Sequence, residues 1–361
     1  MTFSRHRHPR GTSLGWVVVV CLTLALAGLL VDGQSAYAKK RPKPKTLIKF
    51  ATLAPEGSTW MKIMHALDDE VREKTENRVG FKFYPGGVQG DEKDVLRKIR
   101  NGQLHGGGFT GFGLGAVASE FRVIELPFMF RDLDEVDFVR ARLDSFFYDV
   151  FKEKGYEFLG WGDVGFVYLF SNSPITNPDE LRRAKMWTWS GDRLAEIFFK
   201  AFDVSPIPLA LPDVLTSLQM GVVDAVYSPP LACVALQWFT RVKYMSDVPI
   251  TYGFGAVLVS EKALRKVDPA DMEILRSVSR KHSQILIDKT RVQNVEAIRA
   301  IEGEGVKLLA IDSRVQDEFF TTGRSAWEDG VGRLYPQDLL ERVSSIVADY
   351  RENHKEAKKN P

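Results

Sequence analysis

The chain has 361 residues, 44% hydrophobic and 27% charged, with a formal net charge of +2. That length suits two domains with ample core, and the composition is ordinary for a globular protein. So even a balance of charge argues against nucleic-acid binding, which needs a basic face to meet phosphates.

Residues 1–38 read as an export signal. Arg5, Arg7 and Arg10 precede the apolar run 14–31, and Ala36-Tyr37-Ala38 fits a small-x-small cleavage site. The rival reading is an uncleaved anchor, since the run approaches the roughly 17 residues that can span a bilayer. Cleavage after Ala38 removes the three arginines, Asp32 and Cys21, leaving no net charge and Cys233 as the one thiol. No internal disulfide is then possible, and Cys233 is expected as a small buried apolar residue. Residues 39–45 form a basic, proline-broken linker.

Thr46–Phe50 is the first predicted strand. A turn at Pro55–Ser58 leads into a helix from Thr59, with Ile63, Ala66, Leu67 and Val71 inward and the pair Asp68 and Asp69 on a solvent face. Val79–Tyr84 is the second strand. Asp91–Asn101 is a helix that Gly102 ends, followed by a glycine-rich strand and loop, Leu104–Gly115. Its Gly106-x-Gly108-x-x-Gly111 follows a helix instead of opening one, so it does not read as a dinucleotide fingerprint. It reads as a loop that lets Phe109, Thr110 and Phe112 approach a ligand. Leu126–Phe130 is an apolar strap and Asp134–Lys154 an amphipathic helix.

Phe158–Asn172 and Ile250–Ser260 are extended passages in opposite directions, which suits two crossings at a hinge. Between them Asn177 starts a short helix. Met186–Trp189 alternates as a strand with two tryptophans on one face, and a helix follows from Gly191. The proline-rich segment Val204–Pro212 suits an edge strand or loop. Asp213 caps the next helix, and Val222–Tyr227 is a short buried strand running into Ser228. In such strand–helix–strand units ligands collect at the carboxyl ends of strands, where Trp187, Trp189, Tyr227 and Ser228 stand. The competing reading makes the tryptophans core. Asp268–Gly303 is helical throughout, Val306–Ile311 a strand, and Arg314–Gly330 and Pro336–Tyr350 helices. Residues 351–361 form a polar tail.

Leu181-x-x-x-Lys185-Met186, then Leu218-Gln219-x-Gly221-Val222-Val223-Asp224-Ala225, resembles the solute-binding proteins of tripartite ATP-independent periplasmic (TRAP) transporters. The likeness continues in order through Tyr84-Pro85, Gly90-Asp91, Gly102, Leu126-Pro127-Phe128-Met129-Phe130 and Gly155-Tyr156. It implies an α/β, two-lobed periplasmic binding protein (a Venus flytrap) with a long helix along both lobes, and a membrane permease as partner. The lobes are expected at 46–165 plus about 254–290, and at 166–253 plus about 291–350.

The family pattern implies an arginine after Lys185-Met186 and another after Gly165-Phe166, forking onto a ligand carboxylate. Here Trp187 and Val167 occupy those places, and neither can make such a pair. The expected site is Phe109, Thr110, Val167, Trp187, Trp189, Leu211, Tyr227 and Ser228, with Trp187 as cleft floor and Ser228 as a single hydrogen-bond anchor. That set favours an apolar or amphipathic ligand, because an unpaired buried carboxylate is costly. Two readings stay open beside it: an organic acid held by another cation, Arg122, Arg193 or Lys93, or a free-standing carrier or sensor subunit. A monomer is expected. No metal-ligand spacing, nucleophile elbow or Walker loop accompanies His65, His105, His282, His354 and Cys233, so no cofactor and no enzyme is expected. His105 beside its glycines reads as structural.

Overall fold

Three short runs line up as the first half-sheet: β1 (Thr46–Ala51) pairs in parallel with β2 (Val79–Tyr84) and β3 (Gly106–Thr110). The computed structural model describes residues 42–354. The segment read as an export signal, residues 39–41 of the linker and residues 355–361 lie outside the described residues.

Ser58 caps α1 (Thr59–Lys74), its Oγ accepting from the Met61 N–H at 3.3 Å. The inward face of α1 is Met61, Ile63, Met64, Leu67 and Val71, while Ala66 is exposed. Asp68 is also buried, against expectation: it accepts from Phe81 N–H at 2.6 Å and pairs with Arg72 at 2.8 Å. Asp91 caps α2 (Glu92–Arg100). Beyond β3 the chain does not stay a loop but turns into α3 (Gly111–Val117). The glycines here answer to close approach: a Cβ on Gly108 would stand 2.2 Å from the Trp60 ring, and one on Gly111 would stand 1.7 Å from the Glu125 carboxyl. His105 is structural, its Nδ1 lying 3.2 Å from Lys49 N and 3.0 Å from Leu47 O.

After α4 (Leu133–Glu153) comes β4 (Tyr156–Ser171), whose 16 residues join the two halves of the sheet. The second half follows: α5 (Pro178–Arg183), β5 (Trp187–Trp189), α6 (Arg193–Ala201), β6 (Ile207–Leu209), α7 (Val214–Gln219), β7 (Ala225–Ser228), α8 (Pro230–Ala235) and β8 (Tyr244–Ser246). The Asp213 side chain makes no capping bond to α7. β5 and β6 form their own two-stranded parallel sheet, which tolerates Pro208. β9 (Thr251–Ser260) then runs back antiparallel to β4, from Thr251 beside Val167 to Ser260 beside Tyr156. The order is β10 (Lys307–Leu309), β8, β4, β9, β3, β1, β2, with β7 also on β4.

Past α9 (Glu261–Leu264), α10 (Pro269–Gly303) runs 35 residues. Ion pairs fasten it along its length: Asp271 to Arg78, Arg276 to Glu157 and Arg291 to Asp163, at 2.6–2.8 Å. β10 (Lys307–Leu309), α11 (Ser313–Gly330) and α12 (Gln337–Asn353) complete the chain. Leu339, Leu340, Val343 and Val347 of α12 share a core cluster with Val136, Val139 and Phe147 of α4. α12 carries the first residues of the expected polar tail, with Arg351 paired to the buried Glu135 at 2.7 Å.

Candidate functional site

A cavity of about 470 Å³ opens among the β1–α1 loop, β3, the crossing strands β4 and β9, β5 and the β7–α8 turn. All eight residues expected at the site, Phe109, Thr110, Val167, Trp187, Trp189, Leu211, Tyr227 and Ser228, line it. Six further aromatic side chains, Trp60, Phe112, Phe198, Phe199, Trp238 and Phe254, line it as well.

Two of the expected roles need correction. Trp187 is not an open floor: it is 1% exposed, stacks on Tyr227 at 5.0 Å, meets Trp238 edge-on and donates its Nε1–H to Leu209 O at 3.2 Å. It is a core residue with one side on the cavity. Ser228 is no free anchor either, because its hydroxyl donates to Pro229 O at 2.9 Å.

Thr110 is engaged with Glu92, donating from its N–H at 2.8 Å and from its hydroxyl at 3.0 Å, while Gly113 N–H donates at 2.6 Å. Burial pushes the Glu92 carboxyl up to about 8. Trp189 stacks on Phe112 at 5.1 Å and donates to Asp91, whose carboxyl burial also raises. Asp91 accepts a longer bond from Leu211 N–H, at 3.4 Å.

The charged corner of the cavity is the part sequence reasoning left out of the expected site. Arg122 Nη1 stands 3.4 Å from Glu125, and Nη2 stands 3.2 Å from Asp192, 70 residues on. All three side chains are buried and line the cavity. Burial pushes Glu125 up to about 7 against the pull of Arg122. The available signal was a charged i,i+3 pair inside the apolar run Phe121–Phe130. Of the alternative cations, Arg122 alone lines the cavity among the described residues. Lys93 instead donates to Ser190 O and Gly191 O at 3.0 and 3.2 Å, and Arg193 is exposed.

The model of the bacterial extracellular solute-binding proteins, family 7, known as DctP, matches residues 50–332. The chain belongs to this family. It is 24% identical over 282 residues to the C4-dicarboxylate-binding periplasmic protein DctP of Rhodobacter capsulatus, covering 77% of this chain and 81% of that one. A TRAP periplasmic solute-binding protein from Ralstonia eutropha with bound (S)-2-acetolactate shares the fold with a TM-score of 0.78 at 20% identity, over 84% of this chain and 99% of that one. Another from Sulfurospirillum deleyianum, with bound succinate, has a TM-score of 0.77 at 19% identity, over the same shares. The two-lobed frame, with the crossing strands β4 and β9, is thus shared with TRAP solute receptors, and the chain is a solute-binding protein of the DctP family.

Proposed function

We propose that this DctP-family receptor captures a predominantly apolar or amphipathic solute between its lobes and delivers it to the membrane subunits of a TRAP transporter. One observation carries the reading. Trp187, packed on Tyr227, occupies the place where the family resemblance puts a ligand-forking arginine, and the cavity's one cation among the described residues, Arg122, is already flanked by Glu125 and Asp192. Such a wall rewards apolar surface at about 25 cal/mol per Å² and offers a dianion no free fork. Export to the periplasm after cleavage at Ala38 completes the reading, and an intact mass of the exported protein beginning at Lys39 is the check.

The test is native mass spectrometry of the receptor purified from its own cells, which should release an apolar or amphipathic compound. The second reading, an organic acid held through Arg122, draws on the acids bound by the relatives. Micromolar binding of succinate in calorimetry would establish it and overturn the first.

A further inference from the structure

Arg122 is 8% exposed and is held on every side. Its aliphatic stem crosses Gly115 so closely that a Cβ there would stand 2.5 Å from Cδ. Nη1 faces Glu125 Oε2, and Nη2 donates to Asp192 Oδ2. Both carboxyl groups are fixed in turn. The second oxygen of Glu125 accepts from Phe254 N–H at 2.9 Å, and that of Asp192 caps α6 through Leu194 N–H at 3.1 Å and Ala195 N–H at 3.3 Å. What remains of the guanidinium is Nε, which is buried and has no hydrogen-bond partner among the described residues, on a side chain that lines the cavity. The hydroxyl of Tyr227, also on the wall, lies beside the Thr188 hydroxyl and the Trp189 backbone but makes no hydrogen bond of ordinary length and angle, and Asp192 and Arg122 are both near enough to act on it electrostatically.

A buried N–H without an acceptor is a standing cost that a ligand can relieve. A carboxylate is the wrong group to do so. It seeks two parallel N–H donors, both terminal nitrogens are committed, and it would enter beside Glu125 and Asp192. One oxygen without charge meets the single donor and adds no repulsion.

Resting on the amphipathic-solute reading, we propose that the solute presents an uncharged acceptor oxygen, a carbonyl or a hydroxyl, to Arg122 Nε–H, with the Tyr227 hydroxyl as its second contact and its apolar body against the aromatic wall. Specificity then lies in a neutral head group read by an arginine whose charge the protein has already balanced.

Three probes of nearly one shape test this by calorimetry: hydrocinnamamide, hydrocinnamate and propylbenzene. At about pH 8, where Glu125 is ionised, the amide is expected to bind about tenfold or more tighter than either of the others. Tyr227→Phe keeps the ring on Trp187 and removes only the hydroxyl, so it should reduce the amide's advantage several-fold with an unchanged melting temperature. An amide that binds no tighter than the carboxylate overturns the proposal. If all three bind alike, the head-group inference falls while the apolar reading stands. If succinate binds and none of the three does, the apolar reading itself falls.

Discussion

Trp189 Nε1 donates to both carboxylate oxygens of Asp91, at 3.2 and 3.1 Å, and so ties β5 of the second half to the N-terminus of α2 in the first. Phe112 stacks on the same indole, and Lys93 reaches the neighbouring carbonyls of Ser190 and Gly191. Together these contacts hold the two halves around the cavity.

The first prediction follows from that tie. Trp189→Phe keeps an aromatic ring beside Phe112 but loses the bond to Asp91. A hydrogen bond to a charged group contributes about 1.5–3 kcal/mol, so the arrangement with the two halves joined over the cavity should lose roughly ten- to a hundredfold in population relative to one in which they part. Small-angle scattering of the ligand-free variant should give a larger radius of gyration than the parent. An unchanged radius would show that closure does not depend on this bond.

Trp187→Ala tests a different property of the same strand. With its ring 1% exposed among Tyr227, Trp189 and Trp238, truncation leaves a cavity in the core cluster that Trp187 shares with Trp238. The expected loss is about 3–5 kcal/mol of stability, read as a lower denaturant midpoint. A variant that loses affinity at parental stability would return Trp187 to the open cleft floor that its sequence suggested.

The frame was legible because it is written in local chemistry. Alternating runs gave β1, β2 and the crossings, and Ser58, Asp91 and Asn177 stood where helices begin. The cavity wall followed from apolar residues at strand ends. What was not legible depends on partners far along the chain. Arg122 and Glu125 become part of a buried charged cluster only when Asp192 arrives from 70 residues away. Asp68 looked solvent-facing beside Asp69 until Phe81 N–H and Arg72 claimed it.

The third prediction concerns pH. Burial raises Glu92 from 4.5 to about 8 and Glu125 from 4.5 to about 7. Between those values the folded protein holds protons that the unfolded chain has released. Stability from these two groups is therefore greatest near or below pH 4.5 and falls as pH rises, by up to about 1.4 kcal/mol per unit for each group. Glu70, drawn down to about 2 by its bonds to Lys281, Lys74 and His282, acts oppositely and loses its contribution as pH falls from 4.5. Melting temperatures between about pH 5 and pH 8 should decline, and Glu125→Gln should flatten the decline. An equally steep decline in that variant would remove Glu125 as a cause.

The last prediction lies at the crossing itself. Gly165 sits at an irregularity in the pairing of β4 with β9 and has φ of +114°, a conformation that residues with a side chain rarely adopt. A Cβ there would also stand 2.5 Å from Asn294 Nδ2, the group that donates to Val164 O at 3.0 Å and ties α10 to the crossing strand. The same Asn294 accepts from Leu231 N–H at 3.0 Å, so α8, α10 and β4 meet at this one side chain. Gly165→Ala should therefore cost on the order of 1–3 kcal/mol through backbone strain and a displaced Asn294. Asn294→Ala isolates the second contribution, since it loses the three side-chain hydrogen bonds, to Val164, Thr290 and Leu231, and leaves the glycine backbone alone. Denaturant unfolding of both single variants and the double variant separates the terms. If alanine at 165 is harmful only while Asn294 is present, the close contact is the cause. If the cost survives in the Asn294→Ala background, it belongs to the backbone. A Gly165→Ala variant as stable as the parent would show that the crossing adopts another backbone there, and that the bend does not require glycine.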